Sequence, residues 1–286
     1  RHFGPFHRAA RCLQIQRHRF GRVVAHRRDR AAREQRGVAA GVALLLGVPE
    51  EMSDTFTGWV QDTLEFAHDE NRSRSGADGI RDYLIEKLEE RRVDPGDDLI
   101  SSLLHSEVDG EPVDDLIILG MAALALIAGV DTTWSSIGSA MLHLATHPDD
   151  VQRLIDEPGI MPLAIEELLR AYSPVTMARI ATVDIEVGGC PIRAGDKVLM
   201  NFPGANHDPA VFDRPHEVIL DRAQNRHVAF GAGIHRCAGS NLARMELRVA
   251  VETWIERIPD FRLADGGEVT WAGGQVRGPR TVPVSF

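Results

Sequence analysis

A chain of 286 residues with 43% hydrophobic and 26% charged side chains has the size and composition of a soluble globular protein with one large core or two modest ones. Its three cysteines, Cys12, Cys190 and Cys237, are too few and too far apart for a disulfide framework or a CxxC metal pair, and they suit a reducing, cytoplasmic setting. The net charge of −10 is uneven: residues 1–36 hold eleven arginines against Asp29 and Glu34, which leaves 21 bases against 40 acids elsewhere, yet the basic arm has no helical or strand period and no reading module, so nucleic acid is not an expected partner.

Residues 1–40 stand apart as an Arg/His-rich segment with scattered apolar positions and no capping signals. No apolar h-region follows the first basic residues, so a secretory signal is not expected. The texture suits a disordered arm, or a stretch read out of frame and joined to the rest near residue 40. From Val42 the pattern becomes ordinary. Leu44 to Pro49 reads as a helix end with a Gly47/Pro49 stop. Residues 52–70 and 77–92 read as amphipathic helices, Pro95-Gly96 as a turn, and Asp97-Asp98 as the cap of a short helix over 99–104. Asp114-Asp115 opens a long apolar helix over 116–147 that ends before Pro148. Its apolar run, Leu116–Val130, falls short of the roughly 20 residues that span a bilayer, so a buried core helix is expected and no membrane.

Helices are expected at 149–156 and 162–172. His143 and His147 share a helix face, but no Glu follows His143 as in a metalloprotease signature, and both belong to the end of the long helix. Beyond Pro174 the period changes. Ile185–Val187 and Lys197–Met200 alternate as strands separated by a Gly188-Gly189 turn. A Pro/Asp/Asn-rich loop runs from Pro203 to about His227, a last helix covers about 239–258, and short strands lead to Phe286. The fold class is mostly α with small β-sheets, α+β.

The segment from Phe230 to Gly239 carries the chemistry. Gly231, Gly233 and Gly239 fall within nine residues and imply tight turns or close approach of the backbone to something flat. Cys237 stands just before a strong helix, whose N-terminal N–H groups and dipole favour a thiolate. His235 and Arg236 add cationic or hydrogen-bonding groups. A thiolate held in this way suits iron. A structural cysteine beside a Gly-rich turn is the alternative. Zinc would need three or four N/S ligands, and none lies at zinc-like spacing from Cys237.

The full pattern Phe-Gly-x-Gly-x-His-x-Cys-x-Gly resembles the haem-binding loop of the cytochrome P450 family, whose Cys thiolate pushes electron density toward O–O cleavage. Three further motifs agree. Ala128-Gly129-Val130-Asp131-Thr132-Thr133 resembles the family's oxygen-binding helix, which gives Thr132 the iron-bound oxygen network and Asp131 proton delivery. A bent helix with a solvated Asp is the alternative there. Glu167 and Arg170 share a helix face and resemble the family's structural Glu/Arg pair, with Arg222 as third partner and His227 in reserve; a surface ion pair is the bland reading. Arg179 and His235 match positions that bind haem propionates, although Arg179 alone would read as a solvated strand-edge charge.

The resemblance covers about residues 41–286 as a haem-binding catalytic domain, with the family's N-terminal third missing or unrecognisable. It implies haem b, with Cys237 as axial ligand and Phe230, Gly231, Gly233, His235, Gly239 and Arg179 around it. It also implies a monooxygenase that puts one atom of O2 into a small or medium apolar substrate, with electrons from NAD(P)H through a ferredoxin and its reductase. Leu124, Ile127, Ala128, Val175, Thr176 and Val276 would line the pocket, or are ordinary core. A peroxide-using haem-thiolate enzyme and a non-functional truncated product are the rival readings.

Overall fold

A computed structural model describes Val38 and residues 41–286. The Arg/His-rich segment 1–40 lies, Val38 apart, outside the described residues. The chain divides into two compact units. One takes the residues up to Ile137 together with Asn241–Arg257; the other takes Gly138–Ser240 together with Ile258–Phe286.

The first unit is helical. Helix α1 covers residues 41–45 and gives way to a turn at Gly47, whose φ of +68° is the left-handed stop that glycine tolerates. Helix α2 (Ser53–Leu64) packs on α3 (Glu70–Val93) through Phe56, Trp59 and Tyr83, and the Phe56 and Tyr83 rings meet edge-on at 5.3 Å. α3 begins seven residues before the start expected from periodicity. Its first turns carry no apolar stripe before Ile80, and two glycines interrupt them. Gly79 is there for packing: a Cβ would stand 2.5 Å from the Trp59 ring. Asp69 supplies the cap, accepting from the Arg72 amide at 3.1 Å.

Asp98 caps α4 (Leu99–Leu104) by accepting from the Ser101 amide at 2.8 Å. Arg91 donates to Asp98 Oδ2 and to the Gly47 carbonyl, both at 2.6 Å, and so ties α3 to the starts and ends of its neighbours. A hairpin follows, β1 (Glu107–Val108) with β2 (Glu111–Pro112). It turns on Asp109 and Gly110, at φ +55° and +84°. No strand is expected here from alternation, because strands of two residues are too short to show it, although Asp-Gly is the strongest short hairpin signal.

Helix α5 (Asp115–Thr146) sets Ile118, Ala122, Leu126 and Val130 into the core at four-residue spacing. Leu116, Ile117, Met121 and Leu124 are exposed. The helix expected to be buried is therefore buried along one stripe and apolar along another. By length and composition alone α5 could cross a membrane, with a third of its most apolar window buried within the protein.

The second unit holds the end of α5, then α6 (Pro148–Asp156) and α7 (Met161–Ala171). His143 locks these three together. Its ring nitrogens lie 2.8 Å from the Tyr172 hydroxyl and 2.7 Å from Asp150 Oδ2, so it is a satisfied core histidine. Strand β3 (Met177–Ile180) pairs antiparallel with β6 (Lys197–Met200), and β4 (Ile185–Val187) with β5 (Cys190–Ile192). The Gly188-Gly189 turn thus joins β4 to β5, not to 197–200, because a two-residue turn can pair only the residues that flank it. Helix α8 (Phe202–Ala205) interrupts the expected long loop. Helix α9 (Ser240–Arg257) starts in this unit and continues in the first. Two further pairs close the chain, β7 (Arg262–Leu263) with β10 (Val284–Ser285) and β8 (Thr270–Ala272) with β9 (Gly278–Thr281). Among the described residues every sheet is two-stranded.

Candidate functional site

In the second unit the cysteine loop is a chain of backbone turns. The Gly231 amide donates to the Val228 carbonyl at 2.9 Å, Arg236 to Gly233 at 3.1 Å, and Cys237 to Phe230 at 2.9 Å. Gly231 and Gly233 sit at φ +69° and +66°, a region that costs an L side chain roughly 1–2 kcal/mol. Around Gly233 the space is open, so backbone conformation alone calls for glycine there. Gly239 differs: its φ is not positive, and an added Cβ would meet only Cys237 Sγ, at 3.9 Å. Its missing side chain keeps a face clear beside the sulfur. Cys237 is exposed, as are Ile234 and His235. α9 starts at Ser240, after a two-residue turn at Ala238-Gly239.

The segment ahead of the loop is held by a buried ionic knot. Glu167 and Arg170 on α7 are both fully buried and pair two-pronged, Nε to Oε2 and Nη2 to Oε1, each at 2.8 Å. Arg222 Nε donates to Glu167 Oε2 at 2.9 Å. The Ile219 amide at 2.9 Å and Asn225 Nδ2 at 3.1 Å complete the carboxylate's shell. The two guanidiniums spend their other N–H groups on main-chain carbonyls: Arg170 on Asn206, Pro215 and Glu217, Arg222 on Asp213, Arg214 and Glu217. Burial by itself would raise the Glu167 carboxyl. Its hydrogen bonds from Arg170, Ile219 and Arg222 outweigh burial and hold it below the ordinary range.

His227, the reserve partner for this knot, bonds elsewhere, to Glu166 Oε2 at 2.9 Å. Asn206 and Asn225 carry no motif and were not singled out from the sequence. Asn206 is fully buried; its Oδ1 accepts from the Val228 amide at 2.7 Å, and its Nδ2 bonds Ser173. It thereby links the segment just past α7 to the backbone two residues before the cysteine loop. Only the fold shows this, because the partners are 22 and 33 residues away.

Arg179 lies half-buried on β3, opposite Val198, with Nη1 bonded to the Ala178 carbonyl at 2.9 Å. Val175 and Val276 form an isolated antiparallel bridge, flanked by the Thr176 amide on the Gln275 carbonyl at 2.9 Å. These residues and the cysteine loop belong to the second unit. Asp131 and Thr132 belong to the first, as do Leu124, Ile127 and Ala128. Asp131 is buried, and the Thr132 hydroxyl donates to the Ala128 carbonyl one turn back at 2.6 Å. Leu124 is 64% exposed.

The donor set fits a haem held by one protein ligand. Among the described residues no group of three or more His, Cys, Asp or Glu side chains converges on a metal site. Cys237 offers one exposed thiol, beside Gly239, where an added Cβ would meet only the sulfur. Arg179 and His235, in the same unit, offer a guanidinium and a ring N–H as donors suited to propionates.

A family model for cytochrome P450 matches residues 51–158 and 159–264. A probable cytochrome P450 of Sinorhizobium fredii is 38% identical over 233 residues, 82% of this chain and 56% of that protein. A steroid C26-monooxygenase of Mycolicibacterium smegmatis is 40% identical, over 72% of this chain and 52% of that protein. The chain thus spans little more than half the length of these curated relatives. The bacillaene polyketide synthase cytochrome P450 of Bacillus subtilis superposes with a TM-score of 0.82 at 33% identity, over 88% of this chain and 66% of that one. The matched stretch contains the cysteine loop, the oxygen-helix motif and the Glu/Arg pair in the order that the sequence set out, and the chain belongs to the cytochrome P450 family.

Proposed function

We propose that residues 41–286 carry the catalytic, haem-binding part of a monooxygenase that inserts one atom of O2 into an apolar organic substrate. The observation that carries this reading is the exposed Cys237 thiol, on a loop of left-handed glycines braced by the buried Glu167–Arg170–Arg222 knot. Haem bound there would supply reductive activation of O2, one oxygen atom going to the substrate and the other leaving as water.

Cys237 Sγ would ligate the iron, while Phe230, Gly231, Gly233 and Gly239 shape the loop around it. His235 and Arg179 pair with the propionates. The knot holds the segment 206–225, ahead of the loop, by tying six main-chain carbonyl contacts to one carboxylate. The Thr132 hydroxyl, which here donates to the Ala128 carbonyl, and the buried Asp131 carboxyl are the groups of this chain that would hold and move protons for oxygen activation. Leu124, Ile127 and Ala128 on α5, and Val175, Thr176 and Val276 at the bridge, offer mostly apolar surface to the substrate. Relatives named for steroid oxidation and for mycinamicin hydroxylation and epoxidation support an apolar substrate class. Electrons come from NAD(P)H through a ferredoxin and its reductase, since this sequence has no flavin or iron–sulfur motif. Cysteine usage supports a cytoplasmic setting.

The test is turnover of an apolar substrate by the haem-loaded chain under two regimes, NAD(P)H with ferredoxin and reductase, or peroxide alone. Oxygen-dependent product under the first regime, with Thr132→Ala diverting reducing equivalents to peroxide, is the expected result. Product from peroxide alone, indifferent to Thr132→Ala, would mean a peroxide-using enzyme.

A further inference from the structure

The mechanism leaves one buried acid unused. Glu246 lies on α9, in the part that belongs to the first unit, and is 4% exposed. Its Oε1 is buried without a hydrogen-bond partner. The Thr133 hydroxyl on α5 is hydrogen-bonded to the same side chain. On the other side stands α1. A Cβ at Gly41 would lie 2.7 Å from Glu246 Oε1, closer than real Cβ contacts come. One residue on, Val42 Cγ2 fills the space that a Cβ at Gly129 of α5 would need. Val42, Ala43 and Leu46 are core residues. α1 is therefore pressed over a carboxyl that has too few polar partners.

Among the described residues no cation answers this carboxyl. α1 and the turn after it, from residue 41 to Leu46, carry no titratable side chain. On α5 the nearest acid in sequence is Asp131; on α9 the nearest bases are Arg244 and Arg248. None of these is among the groups that move Glu246, where burial dominates and Thr133 offsets it in part. Burial pushes the carboxyl up to about 8. The buried site therefore accepts the neutral acid, which can keep Oε1 as a bare carbonyl oxygen or its proton turned inward. It does not accept the carboxylate, which needs water.

We propose that Glu246 and the segment around Gly41 form a pH-sensitive latch, in which the neutral carboxyl holds α1 closed on α9 and α5, and proton loss accompanies the opening of α1. The sign follows from linkage. The closed state keeps the proton up to about pH 8, whereas the opened state, with Glu246 in water, releases it near the ordinary value of 4.5. Opening thus releases one proton between those limits. The closed form is fully favoured below about 4.5 and loses that advantage as pH rises to about 8, beyond which the opening equilibrium levels off. The inference stands independently of the haem chemistry.

Amide hydrogen exchange on the full chain, corrected for intrinsic rates, tests it. Protection of residues 41–46 should fall by about tenfold per pH unit between about pH 5 and about pH 8, and should be lower at each pH than that of Leu84 and Leu88 in α3. In Glu246→Gln, which cannot ionise, the slope should vanish; in Gly41→Ala protection should drop at every pH. A flat wild-type profile, a slope that survives in Glu246→Gln, or protection of 41–46 equal to that of α3 overturns the latch. If Glu246→Gln does not fold, infrared spectra of the wild type with isotope-labelled glutamate decide. A protonated carboxyl band that persists at neutral pH and disappears near about pH 8 supports the proposal, and its absence above about pH 6 overturns it.

Discussion

At the scale of single residues, the three glycines of the cysteine loop make different demands. Gly231 needs its left-handed backbone, and Gly239 does not. Gly231→Ala should therefore cost about 1–2 kcal/mol of stability with a matching loss in denaturant midpoint. Gly239→Ala should leave the unloaded chain's stability within about 0.5 kcal/mol but weaken haem retention, because the new methyl would sit beside the sulfur. Haem titrations of both variants alongside urea melts separate the two effects. A Gly239→Ala variant that binds haem as tightly as the parent would remove the role given to that open face. The sequence announces all three glycines and Cys237, because chemistry repeated at fixed spacing survives without a fold. It is silent on Glu246: a Glu among Arg244, Met245 and Leu247 looks like any helix-surface acid until Gly41 is placed against it.

At the scale of elements, α7 and the loop around residues 206–225 are joined by a carboxylate with five donors. Glu167→Gln removes the charge and leaves two buried guanidiniums facing each other. Breaking a buried pair in this way costs on the order of 3–5 kcal/mol, and haem loading should fall with stability. The pH dependence has a definite sign. Glu167 is held below its ordinary 4.5, so its contribution is complete above that value and is lost as pH falls through the lower folded value. Stability against urea, followed from neutral pH down to about pH 3, should decline in the wild type more steeply than in Glu167→Gln. Parallel declines would mean that the knot carries no net charge-dependent stability.

Helix-level features were readable where a local rule decides them. The Asp98 cap and the Pro148 stop are examples. They were missed where distant packing overrides local pattern. α3 begins at Glu70 although its first turns are polar and hold Gly76 and Gly79, because those glycines let the Trp59 backbone and ring come close. The pairing of β6 with β3 rests on residues about twenty positions apart and leaves no local sign. Asn206 and Asn225 are the same case within the site.

At the scale of the whole molecule, membership of the cytochrome P450 family follows from motifs spread over both units, and each unit holds its own share of the residues assigned to haem and oxygen. The first unit contributes Asp131 and Thr132 on α5; the second contributes Cys237, His235 and Arg179. The exposed apolar stripe on α5, Leu116, Ile117, Met121 and Leu124, and the length of the curated relatives make haem retention by this chain the point on which the proposed function turns. The direct test is to load the full chain with haem, reduce it, add carbon monoxide and record the absorption spectrum beside that of Cys237→Ala. The account predicts the strongly red-shifted Soret band of a thiolate-ligated ferrous–CO haem in the parent and its loss in the variant. A band of neutral-ligand haem in the parent, or a red-shifted band that survives Cys237→Ala, would contradict it.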